Sequence, residues 1–203
     1  MLADYYTMLK ELLNILYPSK CLICRKKNSE VFCLNCQTKI EFISDAVAIT
    51  KYISVIKYAI RMLKFHGKIK LAAPLGKISS DYLLKKNFDC VVVVPLHANR
   101  IKKRGCNQCD LIAKEICKII DVELISNVLA RVKDTKPQFT LKKHERLLNV
   151  LGAFDVINSD KIIGKTILLL DDIYTTGATI NECQRVLLEH GAKKCIPFCL
   201  SKA

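Results

Sequence analysis

The sequence contains no apolar run long enough to cross a membrane. The longest runs, such as residues 90–96 and 166–170, end well before the roughly eighteen apolar residues that a span needs. A basic start followed by a clean apolar stretch is also missing, because Asp4, Lys10 and Glu11 interrupt the N-terminal pattern. The sequence therefore predicts no signal peptide. We expect a cytoplasmic protein with no membrane span.

Acidic and aromatic residues are also scarce. The 203 residues include 33 Lys and Arg against 19 Asp and Glu, a formal net charge of +14, and no tryptophan. The surplus of positive charge lies in residues 51–149, which hold 21 basic and eight acidic residues. This distribution indicates either a polyanionic partner or a solvated lysine surface. Aromatic side chains that could stack on nucleic-acid bases are few in this region, and Phe139 is the best candidate.

Cysteine, in contrast, is abundant, with eleven residues. Most lie inside helix-like or strand-like apolar patterns, so we expect reduced thiols rather than a secreted disulfide scaffold. Four form two Cys-x-x-Cys pairs, which are Cys21 with Cys24 and Cys33 with Cys36. Two such pairs suit a structural tetrahedral zinc ion, with a redox pair or an iron–sulfur cluster as alternatives. Cys106 and Cys109 form a third pair, for which zinc or redox chemistry is a weaker hypothesis.

Short β-branched runs alternate with helical patterns along the rest of the chain. Residues 90–94 and 166–170 are typical of strands that are buried on both faces of a parallel sheet. Helical spacing predicts four helices: one over about residues 53–65, a second that ends near residue 86, a third that begins near residue 105, and a fourth over 178–190. A last strand is predicted at 195–200. We predict an α/β domain over residues 46–203, with a mostly parallel sheet flanked by helices. Residues 1–45 are predicted to form an N-terminal helix and a small zinc-binding module.

Two acids and a threonine-rich loop follow the second predicted strand. In parallel sheets, ligands collect at the carboxyl ends of the strands, where helix N-termini point their free N–H groups. Asp171 and Asp172 repel a polyphosphate but can accept hydrogen bonds from the vicinal hydroxyls of a ribose. The residues expected to bind a phosphate through amides and hydroxyls are Thr175, Thr176, Gly177, Ala178 and Thr179. The pattern predicts a ribose 5-phosphate site; a strand followed by an Asp-capped helix is the alternative.

This stretch resembles the phosphoribosyl pyrophosphate motif of type I phosphoribosyltransferases. The resemblance implies that Asp171 and Asp172 bind the ribose hydroxyls and that Mg²⁺ accompanies the ligand. Residues similar in position to the pyrophosphate-binding loop of that fold are Pro95, Leu96 and His97. The basic residues that follow can contact pyrophosphate, or they form only a solvated turn. Residues 131–149 are placed like the flexible hood of these enzymes and are predicted to be a mobile loop with a short helix at 142–148.

The phosphate loop departs from the salvage enzymes of this class at its first position. Hypoxanthine-type enzymes have an aspartate there that exchanges a proton with the purine, whereas this chain has Thr175. Because a hydroxyl is a poor general base at neutral pH, the sequence leaves open whether transfer chemistry occurs and to which acceptor.

The combination of a four-cysteine module and this domain resembles the ComF family of competence proteins. Further segments that support the resemblance are residues 63–67, residues 104–108, Arg131, Gln138, Leu141, Glu145, Arg146 and Asn149. The family usually has an aromatic residue where this chain has Cys106. The resemblance implies a cytosolic factor that handles single-stranded DNA during natural transformation, alongside a competence helicase.

Two functions are therefore predicted, and they are not exclusive. The first is a DNA-uptake factor that binds single-stranded DNA and a phosphoribosyl pyrophosphate-like ligand. The second is an active phosphoribosyltransferase that acts on a nucleobase or an amine. The side chains expected to contact DNA are Arg100, Lys102, Lys103, Arg104 and Arg146.

Overall fold

A computed structural model describes residues 19–135 and 141–203. The helix predicted before Pro18 and the stacking candidate Phe139 lie outside the described residues. No helix among those residues is long and apolar enough to span a membrane.

A five-stranded parallel sheet forms the centre of the fold. Its strands are β1 (Ala48–Lys51), β2 (Cys90–Val93), β3 (Glu123–Leu124), β6 (Thr166–Tyr174) and β7 (Lys194–Lys202). Their order is β1-β7-β6-β2-β3, and every neighbouring pair is parallel. Strands β4 (Leu129–Arg131) and β5 (Phe154–Val156) form a separate antiparallel pair. The predicted fold class, a mostly parallel sheet with flanking helices, is confirmed.

Seven α-helices accompany these strands in the described parts of the chain. They are α1 (Leu34–Gln37), α2 (Ser54–Phe65), α3 (Ala72–Leu83), α4 (Ala98–Arg104), α5 (Gln108–Ile120), α6 (Lys143–Val150) and α7 (Ala178–Glu189). Short 3₁₀ turns occur at Ile69–Leu71 and Ser159–Lys161. The basic stretch that was expected to be a loop or turn is helix α4. His97 caps its start by accepting a hydrogen bond from the Asn99 amide, and Gly105 ends it in the left-handed region at φ 80°.

The central strands are buried on both faces, as their continuous apolar runs predict. Alternate residues of β2 and β6 face opposite sides, so Val91 and Leu168 join one buried cluster, while Val92 and Leu169 join the other. The first cluster also contains apolar residues of α2, α3 and α5, and the second contains those of α7. Phe32 of the cysteine module belongs to the first cluster as well. Whether residues 1–45 form a separate domain stays a prediction.

The carboxyl ends of β2 and β6 meet at one edge of the sheet. Val93 pairs with Leu170, and the Val94 amide donates to the Leu170 carbonyl at 2.9 Å. Strand β6 continues beyond this point, where it pairs with β7 as far as Tyr174. Asp171 and Asp172 therefore lie within β6, at the level where β2 has ended, instead of in the loop that follows the strand.

Candidate functional site

Asp172 is a buried acid that is paired with a cation from a distant helix. The residue is 4% exposed, and its Oδ2 lies 2.6 Å from the Lys64 ammonium and accepts a 2.9 Å hydrogen bond from Gln108 Nε2. Burial alone would lower the pKa of Lys64, but the charge of Asp172 and its hydrogen bond raise that pKa above its ordinary value. The ammonium therefore remains charged, and the two side chains form an ion pair.

Asp171 is the acid with the more variable charge. Its Oδ1 accepts a 2.8 Å hydrogen bond from the Asp172 amide, and Cys109 Sγ lies 3.7 Å from the same oxygen. Burial, reinforced by the charge of Asp172, raises the pKa of Asp171 to about 7, although Lys64 acts in the opposite direction. Asp171 therefore gains or loses its proton close to neutral pH.

The loop after β6 has the backbone geometry of an anion site. Gly177 adopts φ 77°, and a Cβ atom there would lie 2.6 Å from the Tyr174 hydroxyl, so this position requires glycine. Helix α7 begins at the next residue without a side-chain cap from Gly177, and the Ala178 amide lies 3.4 Å from Thr176 Oγ1. The five predicted phosphate-loop residues, 175–179, thus lie at the start of a twelve-residue helix, where backbone amides can bind an anion.

The predicted pyrophosphate loop lies at the same edge of the sheet and leads into the basic helix. Pro95, Leu96 and His97 connect β2 to α4, and all three are partly exposed. Within α4, Lys102 and Lys103 are exposed. Arg146 lies elsewhere, on α6, where its Nε donates to the Leu141 carbonyl at 3.2 Å.

The chain that follows β4 is attached to the start of α4. Asn99 Nδ2 donates to Asp134 Oδ2 at 2.6 Å, and His97 Nδ1 lies 3.4 Å from Asp134 Oδ1. Arg100 donates to the Thr135 carbonyl at 2.7 Å. The hydrogen bond from Asn99 is the main cause that lowers the pKa of Asp134, and His97 and Arg100 contribute positive charge. Asp134 is thus an ionised group facing the cations of α4.

Two segments noted for their family resemblance converge on Asp172. Lys64 contributes from the end of α2, and Gln108 from the start of α5. Arg104 connects the segments, because its guanidinium lies 5.0 Å from the Phe65 ring centroid and donates to Gln108 Oε1 at 3.1 Å. Sequence reasoning did not assign Lys64 or Gln108 to the site. The sequence feature that could have identified Lys64 and Gln108 was their position in segments 63–67 and 104–108, which resemble the family.

The pair formed by Cys106 and Cys109 is split between two environments. Cys109 is buried against the acids, while Cys106 is partly exposed. Burial and the nearby charge of Asp172 raise the pKa of Cys109 well above its ordinary value, so its thiol stays neutral. Zinc or redox chemistry at the Cys106 and Cys109 pair stays a hypothesis, and the structure groups Cys109 with Asp171 and Asp172 instead of with Cys106.

The four remaining motif cysteines form a compact cluster with the dimensions of a zinc site. Their sulfur atoms all lie within 4.8 Å of one another, with 3.9 Å between Cys21 and Cys36 and 3.7 Å between Cys24 and Cys33. Zn–S bonds of about 2.3 Å give a tetrahedral edge of about 3.8 Å, which matches both distances. The Cys21 sulfur accepts hydrogen bonds from the amides of Ile23 and Cys33, as expected for a thiolate ligand. The donor set therefore suits structural zinc.

Comparisons with known proteins agree with both parts of this arrangement. The family model described as the double zinc ribbon domain matches residues 12–47, and the phosphoribosyl transferase domain matches residues 77–202. Competence protein ComFC of Streptococcus pneumoniae is 33% identical over 185 residues, which cover 89% of this chain and 79% of that protein. The chain belongs to the ComF family of competence proteins.

Other ComF relatives have names that refer to competence or to DNA. Competence protein F of Haemophilus influenzae is 26% identical, over 84% of this chain and 78% of that protein. The DNA utilization protein YhgH of Escherichia coli is 27% identical, over 77% of this chain and 71% of that protein. The ComF assignment made from the sequence motifs is therefore confirmed.

Proposed function

We propose that this protein is a cytoplasmic factor in natural transformation that binds single-stranded DNA and a phosphoribosyl pyrophosphate-like ligand. The ligand's ribose hydroxyls would bind at Asp171 and Asp172, and its 5-phosphate at residues 175–179. Single-stranded DNA would follow the cations of α4. The family resemblance adds a competence helicase as a partner.

The convergence of two acids, a helix start and a second loop at one edge of the sheet is the observation that carries this proposal. The acids of β6, the start of α7 and the loop after β2 lie at the carboxyl ends of neighbouring strands. An anion-binding loop beside carboxylates that accept hydrogen bonds from sugar hydroxyls fits a sugar phosphate better than a bare phosphate. The exposed Lys102 and Lys103 extend this edge with positive charge that suits a polyanion.

Calorimetric titration of the full chain with phosphoribosyl pyrophosphate tests the ligand. The variant Asp171→Asn/Asp172→Asn should weaken binding by about tenfold or more, since it replaces two charged hydrogen-bond acceptors. The variant Asp155→Asn/Asp160→Asn makes the same chemical replacement at two exposed acids and should bind normally. Equal affinity in both variants would contradict the assignment of the acids.

Fluorescence anisotropy with a labelled oligothymidylate tests the DNA. Repeating the titration at saturating phosphoribosyl pyrophosphate then shows whether both ligands use one groove, because competition requires overlapping sites. Absence of DNA binding at low salt would contradict the DNA part of the proposal and leave the ligand part intact.

The intact ribose-phosphate motif keeps an active phosphoribosyltransferase as the second candidate. Pyrophosphate release from phosphoribosyl pyrophosphate, measured with nucleobases, amines and DNA as acceptors, would establish it if the Asp171→Asn/Asp172→Asn variant abolished the signal. Thr175 offers no general base for purine salvage, so an amine or another acceptor is the better substrate class to examine first.

A further inference from the structure

We infer that Lys64 is a built-in counter-ion of the ribose acids, so that the site binds a ribose 5-phosphate group without a divalent cation. The inference rests on the proposed phosphoribosyl site and concerns the residue that sets its metal requirement. Two neighbouring acids beside a phosphate-binding loop can bind a cation, and the sequence resemblance implied Mg²⁺. The structure supplies an ammonium instead.

Lys64 is held in direct contact with Asp172. Its Nζ lies 2.6 Å from Asp172 Oδ2, and the two side chains are only 15% and 5% exposed. Gln108 Nε2 donates to the same oxygen at 2.9 Å. Two donors therefore occupy Asp172 Oδ2, and little solvent reaches this side chain to supply the water ligands that Mg²⁺ retains.

The fold holds Lys64 in this position through its helix. Lys64 lies in the last turn of α2, where the negative end of the helix dipole favours a positive charge. Its neighbour Leu63 is buried in the core, which fixes the rotation of the helix. Phe65, on the other side, contacts Arg104. The ammonium is thus oriented before any ligand arrives.

The remaining members of the cluster are also poor partners for Mg²⁺. Cys109 completes a group with Asp171 and Asp172 that has the spacing of a metal site. A buried cysteine sulfur is not among the oxygen ligands that Mg²⁺ prefers. A divalent ion at Asp171 would in addition be repelled by the nearby ammonium of Lys64. The cluster therefore does not fit Mg²⁺, in contrast to the expectation from the sequence.

The test is calorimetric titration with ribose 5-phosphate, using the full zinc-loaded chain in buffer with magnesium and in buffer passed over a chelating resin. Free chelator is avoided because it would remove zinc from the cysteines. The wild-type dissociation constant should change by less than about twofold between the two buffers, since Asp172 already has an ammonium as its counter-ion. Lys64→Met should weaken binding by about tenfold without magnesium, and magnesium should restore part of the loss. Lys57→Met, at an exposed lysine of the same helix, should behave like wild type.

Each outcome distinguishes the inference from the proposed function. Wild-type binding that requires magnesium would overturn the inference and leave the phosphoribosyl site standing. No binding in either buffer would instead contradict the proposed function. An unchanged affinity in Lys64→Met, or a loss that magnesium does not reduce, would show that Lys64 only supports the fold. If Lys64→Met fails to fold, Lys64→Gln, a neutral donor to Asp172, replaces it with the same expected results.

Discussion

At the scale of single residues, Asp171 and Asp172 are adjacent in β6 but have different environments. Asp172 is held in an ion pair with Lys64, whereas Asp171 accepts, from residues 19–135 and 141–203, an amide and a thiol on one oxygen. Burial disfavours a carboxylate that has no cation beside it, so of the two acids Asp171 is the one whose ionised form is destabilised. That asymmetry leaves Asp172 in an ion pair and makes the charge of Asp171 responsive to pH.

The raised pKa of Asp171 predicts a pH-dependent cost to stability. Its folded pKa, about 7, lies above its ordinary value of 3.8, so its stabilising contribution is complete below pH 4 and is lost as the pH rises through 7. Asp171→Asn, which cannot ionise, should therefore gain stability relative to wild type between pH 6 and pH 8.5. We expect a gain of roughly 1–2 kcal/mol, or a few degrees in Tm, after allowing for solvent screening.

Thermal unfolding of both proteins at the two pH values measures this difference. Because the comparison is made at each pH, the loss of zinc affinity at lower pH affects both proteins and cancels. Asp160→Asn, at an exposed acid, should track wild type throughout. A constant difference in Tm between wild type and Asp171→Asn would show that the carboxyl does not titrate in this range.

The sequence predicts some residues of the site and misses others for a physical reason. Asp171, Asp172 and the threonine loop are contiguous, so a local pattern reveals them. Lys64 and Gln108 reach Asp172 only because α2 and α5 pack on the same face of the sheet. No local periodicity encodes such a contact. Only the family resemblance of segments 63–67 and 104–108 drew attention to these residues.

At the scale of elements, the cysteine module is tied to the core of the main sheet. Phe32, at 1% exposure, and three of the four motif cysteines belong to the buried cluster that includes α2 and α3. The segment around them has little regular structure of its own, with only the four-residue α1. A metal that fixes this segment therefore also fixes part of the core surface.

Removal of the zinc ligands should release the metal and loosen the adjoining core. We expect Cys21→Ser/Cys24→Ser to lose the one zinc ion per chain, because structural zinc is worth about 10–16 kcal/mol in small modules and needs all its thiolates. Metal content by mass spectrometry and Tm by calorimetry measure both effects. Cys106→Ser, a partly exposed cysteine outside the cluster, should keep its zinc. Full zinc content in the double variant would place the metal elsewhere.

The contact between the chain after β4 and helix α4 predicts an effect on polyanion binding. Asp134 presents an ionised carboxylate to His97, Asn99 and Arg100, in the region where we propose that phosphates bind. Asp134→Asn should keep an acceptor for Asn99 and remove the competing charge. Exposed charge pairs are worth at most about 1 kcal/mol, so oligothymidylate affinity should rise by roughly two- to fivefold.

Anisotropy titrations at constant salt measure the change. Asp155→Asn, at an exposed acid of β5, provides the matched change of net charge and should have a smaller effect. A weaker affinity in Asp134→Asn would mean that Asp134 orders the binding surface instead of competing with the phosphates.

The elements themselves were predicted unevenly. Strands β2 and β6 are continuous apolar runs, which local composition identifies, and α2, α5 and α7 have a clear apolar face. Helix α4 contains no buried residue, so periodicity gives no signal for it, and its bounds depend on the cap at His97 and the turn at Gly105. Strand β1 is four residues long and is defined by its pairing with β7, a partner about 150 residues away.

At the scale of the whole molecule, the parallel sheet separates two edges with different chemistry. The carboxyl ends of β2 and β6 carry the acids, the predicted phosphate loop and the basic helix α4. The opposite edge contains the start of β7, where Lys193 and Lys194 are also exposed. The net charge of +14 therefore does not by itself locate a polyanion. The position of the lysines that affect binding distinguishes a DNA-binding surface from a generally basic surface.

This separation provides a matched pair of lysine variants for the DNA prediction. Lys102→Gln/Lys103→Gln and Lys193→Gln/Lys194→Gln both remove two exposed charges, one pair beside the proposed groove and the other at the far edge of the sheet. Each lost phosphate contact should reduce the slope of log affinity against log salt by about 0.7 for a single strand. The first variant should therefore lower the slope by about 1.4 and weaken binding at low salt.

The far-edge variant should leave the slope nearly unchanged, because lysines away from the groove release no counter-ions from the strand. Anisotropy titrations of oligothymidylate over a range of salt concentrations give both slopes directly. Equal losses in the two variants would indicate that DNA responds only to total charge, which is the behaviour of a solvated lysine surface. A loss confined to Lys193→Gln/Lys194→Gln would place the DNA at the other edge of the sheet, away from the phosphoribosyl site, and the two ligands would then not compete.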